Sequence, residues 1–175
     1  MKNNILAALI AVAVTSPLMA NASDGTITFK GAVTANTCTV KVNEGTATNT
    51  VTLPTVTAGQ LAASGDTAAP TEVRIALSAC TTGLTSTRAF FEAGPNVTAT
   101  THNLKNNGTA TNVEVQLLTP ANTVIAIGDT AQRTATGTTV TDGAALMKYS
   151  AQYYATGAAA AGTVDTSVTY AIDYL

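Results

Sequence analysis

Residues 164–175 read Val-Asp-Thr-Ser-Val-Thr-Tyr-Ala-Ile-Asp-Tyr-Leu. In an extended chain Val164, Val168, Tyr170, Ile172 and Tyr174 share one face, and Asp165, Ser167, Thr169 and Asp173 share the other. An apolar set with period 2 and a polar set out of phase mark an antiparallel strand with one face on a core and one in water. The strand runs to the last residues, with no polar tail to blunt an edge. A sandwich that ends on such a strand can leave it unpaired on one side.

Working back from this strand, the same period recurs. Met147, Tyr149, Ala151 and Tyr153 alternate with Lys148, Ser150 and Gln152. Val113, Val115 and Leu117 alternate after the Asn106-Asn107-Gly108 turn signal, which puts Glu114 on a solvent face. Further strands are expected at Val51–Leu53, ending at Pro54, at Val73–Ala79, at Ala89–Phe91 and at Val124–Ile127. Gly59 to Thr71 is small and polar and reads as a long loop, and Ala155 to Gly162 as a loop with at most one helical turn. Seven to nine short strands separated by turn signals predict an all-β sandwich. Roughly a fifth of the chain is threonine, which suits a pleated, half-buried surface. The 175 residues fit one domain, with no linker and no fixed-period repeat.

The other end is distinct. Lys2, the apolar run Ile5–Val14, the breaker Pro17 and the small residues of Ala20-Asn21-Ala22 read as a secretory signal peptide over 1–22, cut after Ala22 or after Ala20. The run is too short to span a bilayer, and no later stretch predicts a transmembrane segment. Removing Lys2 from 8 basic residues leaves 7 against 10 acidic ones, so the formal charge moves from −2 to −3. That balance offers no footprint for nucleic acid. In an exported protein the two cysteines, Cys38 and Cys80, read as a disulfide closing a loop of roughly 40 residues, worth about 4 kcal/mol in the chain-entropy model.

After the signal peptide, Gly25, Ile27, Phe29 and Val33 occupy one face of an extended segment. From Cys38 the apolar set moves to even numbers, with Val40 and Val42. The slip falls within residues 34–37, and a one-residue slip reverses the buried face. The two halves therefore need not serve the same core.

No catalytic constellation is present. His102, the single histidine, lies in a polar stretch and reads as an exposed loop residue. No nucleophile elbow and no phosphate-cradling loop occurs, and the aspartates sit mainly beside glycines, as turn residues. No cofactor, no metal site and no enzymatic activity is expected.

Thr28-Phe29-Lys30-Gly31 followed by Thr37-Cys38-Thr39-Val40, the segment Thr109-Ala110-Thr111-Asn112-Val113, and the closing blocks Tyr153-Tyr154-Ala155-Thr156-Gly157 and Ala161-Gly162-Thr163-Val164 together resemble the chaperone–usher pilins, of the type 1 major-subunit kind. So do the penultimate Tyr174 and the glycine at the fourteenth position from the end, counting Leu175 as the first, Gly162. The resemblance covers the whole chain. It implies an incomplete immunoglobulin-like β-sandwich, residues 32–175, completed by a donor strand from another subunit. It implies export through the periplasm to a fimbria on the bacterial surface that supports cell adhesion. The implied partners are other copies of the chain, a periplasmic chaperone, an outer-membrane usher and adaptor or tip subunits.

On that reading residues 23–31 form the donor-strand extension, with Gly25, Ile27 and Phe29 entering the acceptor. Gly162, Val164, Val168, Tyr170, Ile172, Tyr174 and Leu175 belong to the C-terminal acceptor strand, which also meets the chaperone. A minor adaptor subunit would share both ends. A sugar-binding tip adhesin would need a second domain, for which the chain has no room, and tryptophan is absent.

Overall fold

The computed structural model describes Thr28 and residues 37–175. The expected signal peptide, 1–22, and the donor extension, 23–31 with Gly25, Ile27 and Phe29, therefore lie outside the described residues, apart from an exposed Thr28. Residues 37–175 fall within one compact unit, Thr34–Leu175.

The fold is all-β. Among the described residues the strands are β1 (Thr39–Val42), β2 (Thr67–Ser78), β3 (Ser86–Phe91), β4 (Leu104–Lys105), β5 (Val113–Leu118), β6 (Thr138–Thr139), β7 (Ala145–Ala155) and β8 (Tyr170–Tyr174). They form a five-stranded sheet in the order β1-β2-β7-β5-β4 and a three-stranded sheet in the order β6-β3-β8. Every pairing is antiparallel. Short 3₁₀ turns at Ala58–Leu61 and Thr130–Thr134 interrupt the connections.

The core follows the period-2 pattern of each strand. Ile75 and Leu77 of β2, Ala89 and Phe91 of β3, Val115 and Leu117 of β5, and Met147 and Ala151 of β7 are buried in one cluster. Phe91 and Tyr149 meet edge to face, with ring centroids 5.1 Å apart. Cys38 and Cys80 are bonded, just beyond the terminal β1–β2 pair Thr39–Ser78.

The structure corrects five local expectations. Residues 67–71 are not loop but the start of β2. The small residues hid a strand because Pro70, lacking an N–H, breaks the ladder to β7 at a bulge between Ala68 and Thr71, with Ala69 at φ 53°. Val51–Leu53 makes no ladder among the described residues. Val124–Ile127 forms a single bridge, Leu118–Val124, rather than a strand.

Glu114 is not solvent-facing: β5 is buried at all six positions. Its odd residues face the inter-sheet core. On the opposite face the Glu114 carboxylate accepts from the Thr98 hydroxyl at 2.8 Å, the Thr101 hydroxyl at 2.7 Å and the Asn103 amide at 3.1 Å, so residues 98–103 cover it. The Asn103 amide oxygen in turn accepts from the Gln116 amide at 3.3 Å. His102 is half-buried within this cover, at φ 55°, with Nδ1 3.2 Å from the Ile127 carbonyl.

Candidate functional site

The C-terminal strand is an edge strand. Leu175 and Ser86 exchange both backbone hydrogen bonds, at 2.9 and 3.1 Å, and the Glu92 N–H donates to the Thr169 carbonyl at 2.9 Å. Bonded pairs alternate in an antiparallel ladder, so the odd residues from 169 to 175 turn their backbone groups to β3. The N–H and C=O groups of Tyr170, Ile172 and Tyr174 therefore point away from β3. Among the described residues no strand pairs with that side.

The same parity extends upstream of β8. The Asp165 carbonyl accepts from the Asn107 N–H at 2.8 Å, and the Asp165 N–H donates to the Asn106 side chain at 2.8 Å. The Ser167 carbonyl accepts from the Asn96 amide at 3.1 Å. Residues 165–175 are thus anchored along their odd positions and open along their even ones.

The side chains match. Val164, Val168, Tyr170, Ile172 and Tyr174 pack against the core as the sequence pattern expects, but none is fully buried. Neighbouring β3 fully buries Thr87, Ala89 and Phe91. Among the described residues, the even residues of the last strand have core on one flank and no strand on the other. Burial raises the Tyr170 hydroxyl above its ordinary pKa, and that hydroxyl donates to the Ala47 carbonyl at 2.7 Å. The Thr166 hydroxyl on this face is buried with no partner. Leu175 follows the strand and is 48% exposed, and its carbonyl oxygen accepts from the Thr85 hydroxyl at 2.9 Å. Gly162 sits where the chain meets residues 109–110 backbone to backbone.

A second wall went unnoticed in the sequence. In residues 47–56, which follow β1, Val51, Leu53 and Val56 are half-buried while Thr52, Pro54 and Thr55 are exposed. Leu53 packs on the same two apolar clusters as Val164. Among the described residues, 47–56 make no backbone–backbone hydrogen bond. The Val51–Leu53 alternation is the available signal, but on its own it predicts an ordinary paired strand. Two extended segments with half-buried apolar faces and unpaired backbone are what a sandwich one strand short presents.

The outer face of β8 is fixed by charge. Asp173 accepts from Arg88 at 3.2 Å and lies 3.3 Å from Arg133, whose guanidinium stacks 4.2 Å from the centre of the Phe90 ring. Among the described residues, no helix is long and apolar enough to cross a membrane, and no cluster of three or more His, Cys, Asp or Glu could hold a metal ion.

Residues 27–175 match the family described as fimbrial protein. The chain is 44% identical to the major fimbrial subunit SMF-1 of Stenotrophomonas maltophilia, over 91% of this chain and 97% of that one. It is 40% identical to the F17 fimbrial protein of Escherichia coli, over 87% and 88%. The fold is similar to that of a solved chaperone–usher pilus, with a TM-score of 0.62 at 18% identity over 91% of this chain and 100% of that one. It is similar also to the P pilus rod subunit PapA, with a TM-score of 0.59 at 14% identity over 78% and 99%. These relatives are structural subunits, not enzymes. The chain belongs to the fimbrial protein family and is a fimbrial subunit.

Proposed function

We propose that the chain polymerises into a fimbria by strand addition. Residues 23–31 of one copy enter the gap beside β8 of the next and turn Gly25, Ile27 and Phe29 toward its core. The observation that carries this reading is the open side of the last strand: the backbone of Tyr170, Ile172 and Tyr174 is unpaired there among the described residues, beside a half-exposed apolar face. Burying Ile27 and Phe29 would contribute about 1.5–3 kcal/mol each, and the added strand would satisfy the free backbone groups. A periplasmic chaperone fills the gap before assembly at an outer-membrane usher, and the fimbria supports adhesion.

The likeness to SMF-1, described as a major fimbrial subunit, favours a main-shaft role over that of an adaptor. The test is deletion of residues 23–31. The shortened subunit should still be incorporated as the last acceptor but should accept no role as donor. Fibres of normal length built from it alone would overturn the reading. In cells lacking the whole chain, electron microscopy should show no filaments; filaments with only an altered tip would make the chain a minor subunit.

A further inference from the structure

The three-stranded sheet has a second exposed edge. On the side of β3 away from β8, strand β6 is only two residues long and pairs with Ser86 and Thr87. Beyond Thr87 no strand follows on that side among the described residues. The odd residues Ala89 and Phe91 direct their backbone groups there, because the even ones are bonded to β8.

Side chains, together with the Gly128 N–H, which donates to the Phe91 carbonyl at 3.0 Å, take the place of the missing strand. The Phe91 N–H donates to Gln132 Oε1 at 3.0 Å, and Gln132 Nε2 donates to the Phe91 carbonyl at 3.0 Å. One primary amide thus meets both backbone groups of Phe91, as the facing residue of a bonded strand pair does. The Ala89 N–H donates to the Tyr149 hydroxyl at 3.2 Å. Gln132 is held in position by the 3₁₀ turn Thr130–Thr134, which Asp129 caps through the Ala131 N–H at 2.8 Å, and by a further contact of its Nε2 to the Ala126 carbonyl at 3.1 Å.

Packing leaves space along this edge. A cleft of about 520 Å³ runs beside it, lined among others by Ala89, Val124, Ile125, Gln132, Met147 and Tyr149. The β5–β7 ladder stops at Leu118–Ser150, so residues 145–149 of β7 also lack a strand on that side among the described residues. Val124, at the cleft, is 49% exposed. Two strand edges and an apolar cleft are the ingredients of an added-strand site. Among the described residues, Gln132, the Tyr149 hydroxyl and the Gly128 N–H close it.

We infer that Gln132, with the Tyr149 hydroxyl, plugs the second edge of β3 and so confines strand addition to the β8 edge, one added strand per subunit. Why a second open edge would matter rests on the strand-addition reading above. In a polymerising subunit it would capture donor segments from the wrong copies.

The test titrates the full chain with a synthetic peptide of residues 23–31 and counts bound peptides by native mass spectrometry. The unsubstituted subunit should bind one peptide, and Gln132→Ala should bind two. One peptide in both would overturn the plug. None on the unsubstituted subunit would instead overturn the strand-addition reading, and the plug is then decided by amide hydrogen exchange. Exchange at Phe91 should be about tenfold faster in Gln132→Met, which keeps the side-chain volume without the amide. Unchanged exchange at Phe91 would overturn the plug whatever the peptide does. Gln132→Met also serves in the titration if Gln132→Ala does not fold.

Discussion

The Cβ that Gly162 lacks would lie 2.3 Å from the Ala110 nitrogen. The one that Gly108 lacks would lie 2.2 Å from the Thr163 carbonyl oxygen. The two chain segments touch through their backbones, joined by an Ala110 N–H to Thr163 carbonyl bond of 3.0 Å. Gly162→Ala must push the start of the last strand off residues 109–110. The expected cost is about 1–3 kcal/mol in urea unfolding, and an unchanged midpoint would show that the segments separate freely.

A charge on the apolar face of the last strand should stop fibre growth without unfolding the subunit. Ile172→Asp should block uptake of a donor segment, while Thr169→Asp, on the exposed face, should not. On the donor side, Phe29→Asp should block assembly more than Thr28→Asp. Equal effects within either pair, read as fibre yield by electron microscopy, would put the strand on the wrong face.

The carboxylate of Glu114 is a keystone for residues 98–103. Glu114→Ala removes the acceptor for Thr98, Thr101 and Asn103 together. The expected loss is about 2–4 kcal/mol, from donors left buried without a partner. Glu114→Gln, which keeps an acceptor oxygen, should lose less. Chemical denaturation of both variants measures the difference.

This residue also marks where sequence reading stopped. Alternation identified which face of β5 Glu114 occupies, because side-chain direction is a local property of the strand. It did not reveal that residues 98–103 fold back over that face, because such cover depends on distant hydrogen bonds. The same limit hid the first residues of β2, 67–71, around Pro70: composition signalled a loop, but the ladder resumes across the bulge. The face of Val164, Val168, Tyr170, Ile172 and Tyr174 was fully legible, since it depends on period alone. The wall formed by Val51, Leu53 and Val56 was half legible. Its alternation was plain, but its want of a partner is a fact of topology.

Stability should fall at high pH. Burial is the main cause that raises the hydroxyls of Tyr149, Tyr153 and Tyr170 above the ordinary tyrosine pKa of 10.0. The folded state therefore holds these protons more tightly than the unfolded chain does. The contribution is fully present below pH 10.0 and is lost as pH rises through the raised values. Thermal melts from pH 8 upward should show Tm falling above about pH 10, with a shallower fall in Tyr149→Phe. An identical fall in that variant would remove Tyr149 from the cause.

Replacing both Cys38 and Cys80 by serine should cost about 4 kcal/mol. It should also lower the amount of folded subunit recovered from the periplasm. Unchanged recovery would make the bridge dispensable for folding.

That bridge has a mechanical consequence. Cys38 immediately precedes β1, and its bond to Cys80 spans a separation of 42 residues. When the chain is pulled from its N-terminal side, force reaching Cys38 passes through sulfur into the end of β2. Residues 39–79 are short-circuited: they cannot unravel one by one under tension, however far the sheets are strained. A filament of such subunits could stretch where its joints or later strands yield, while β1 and β2 pay out no length at all.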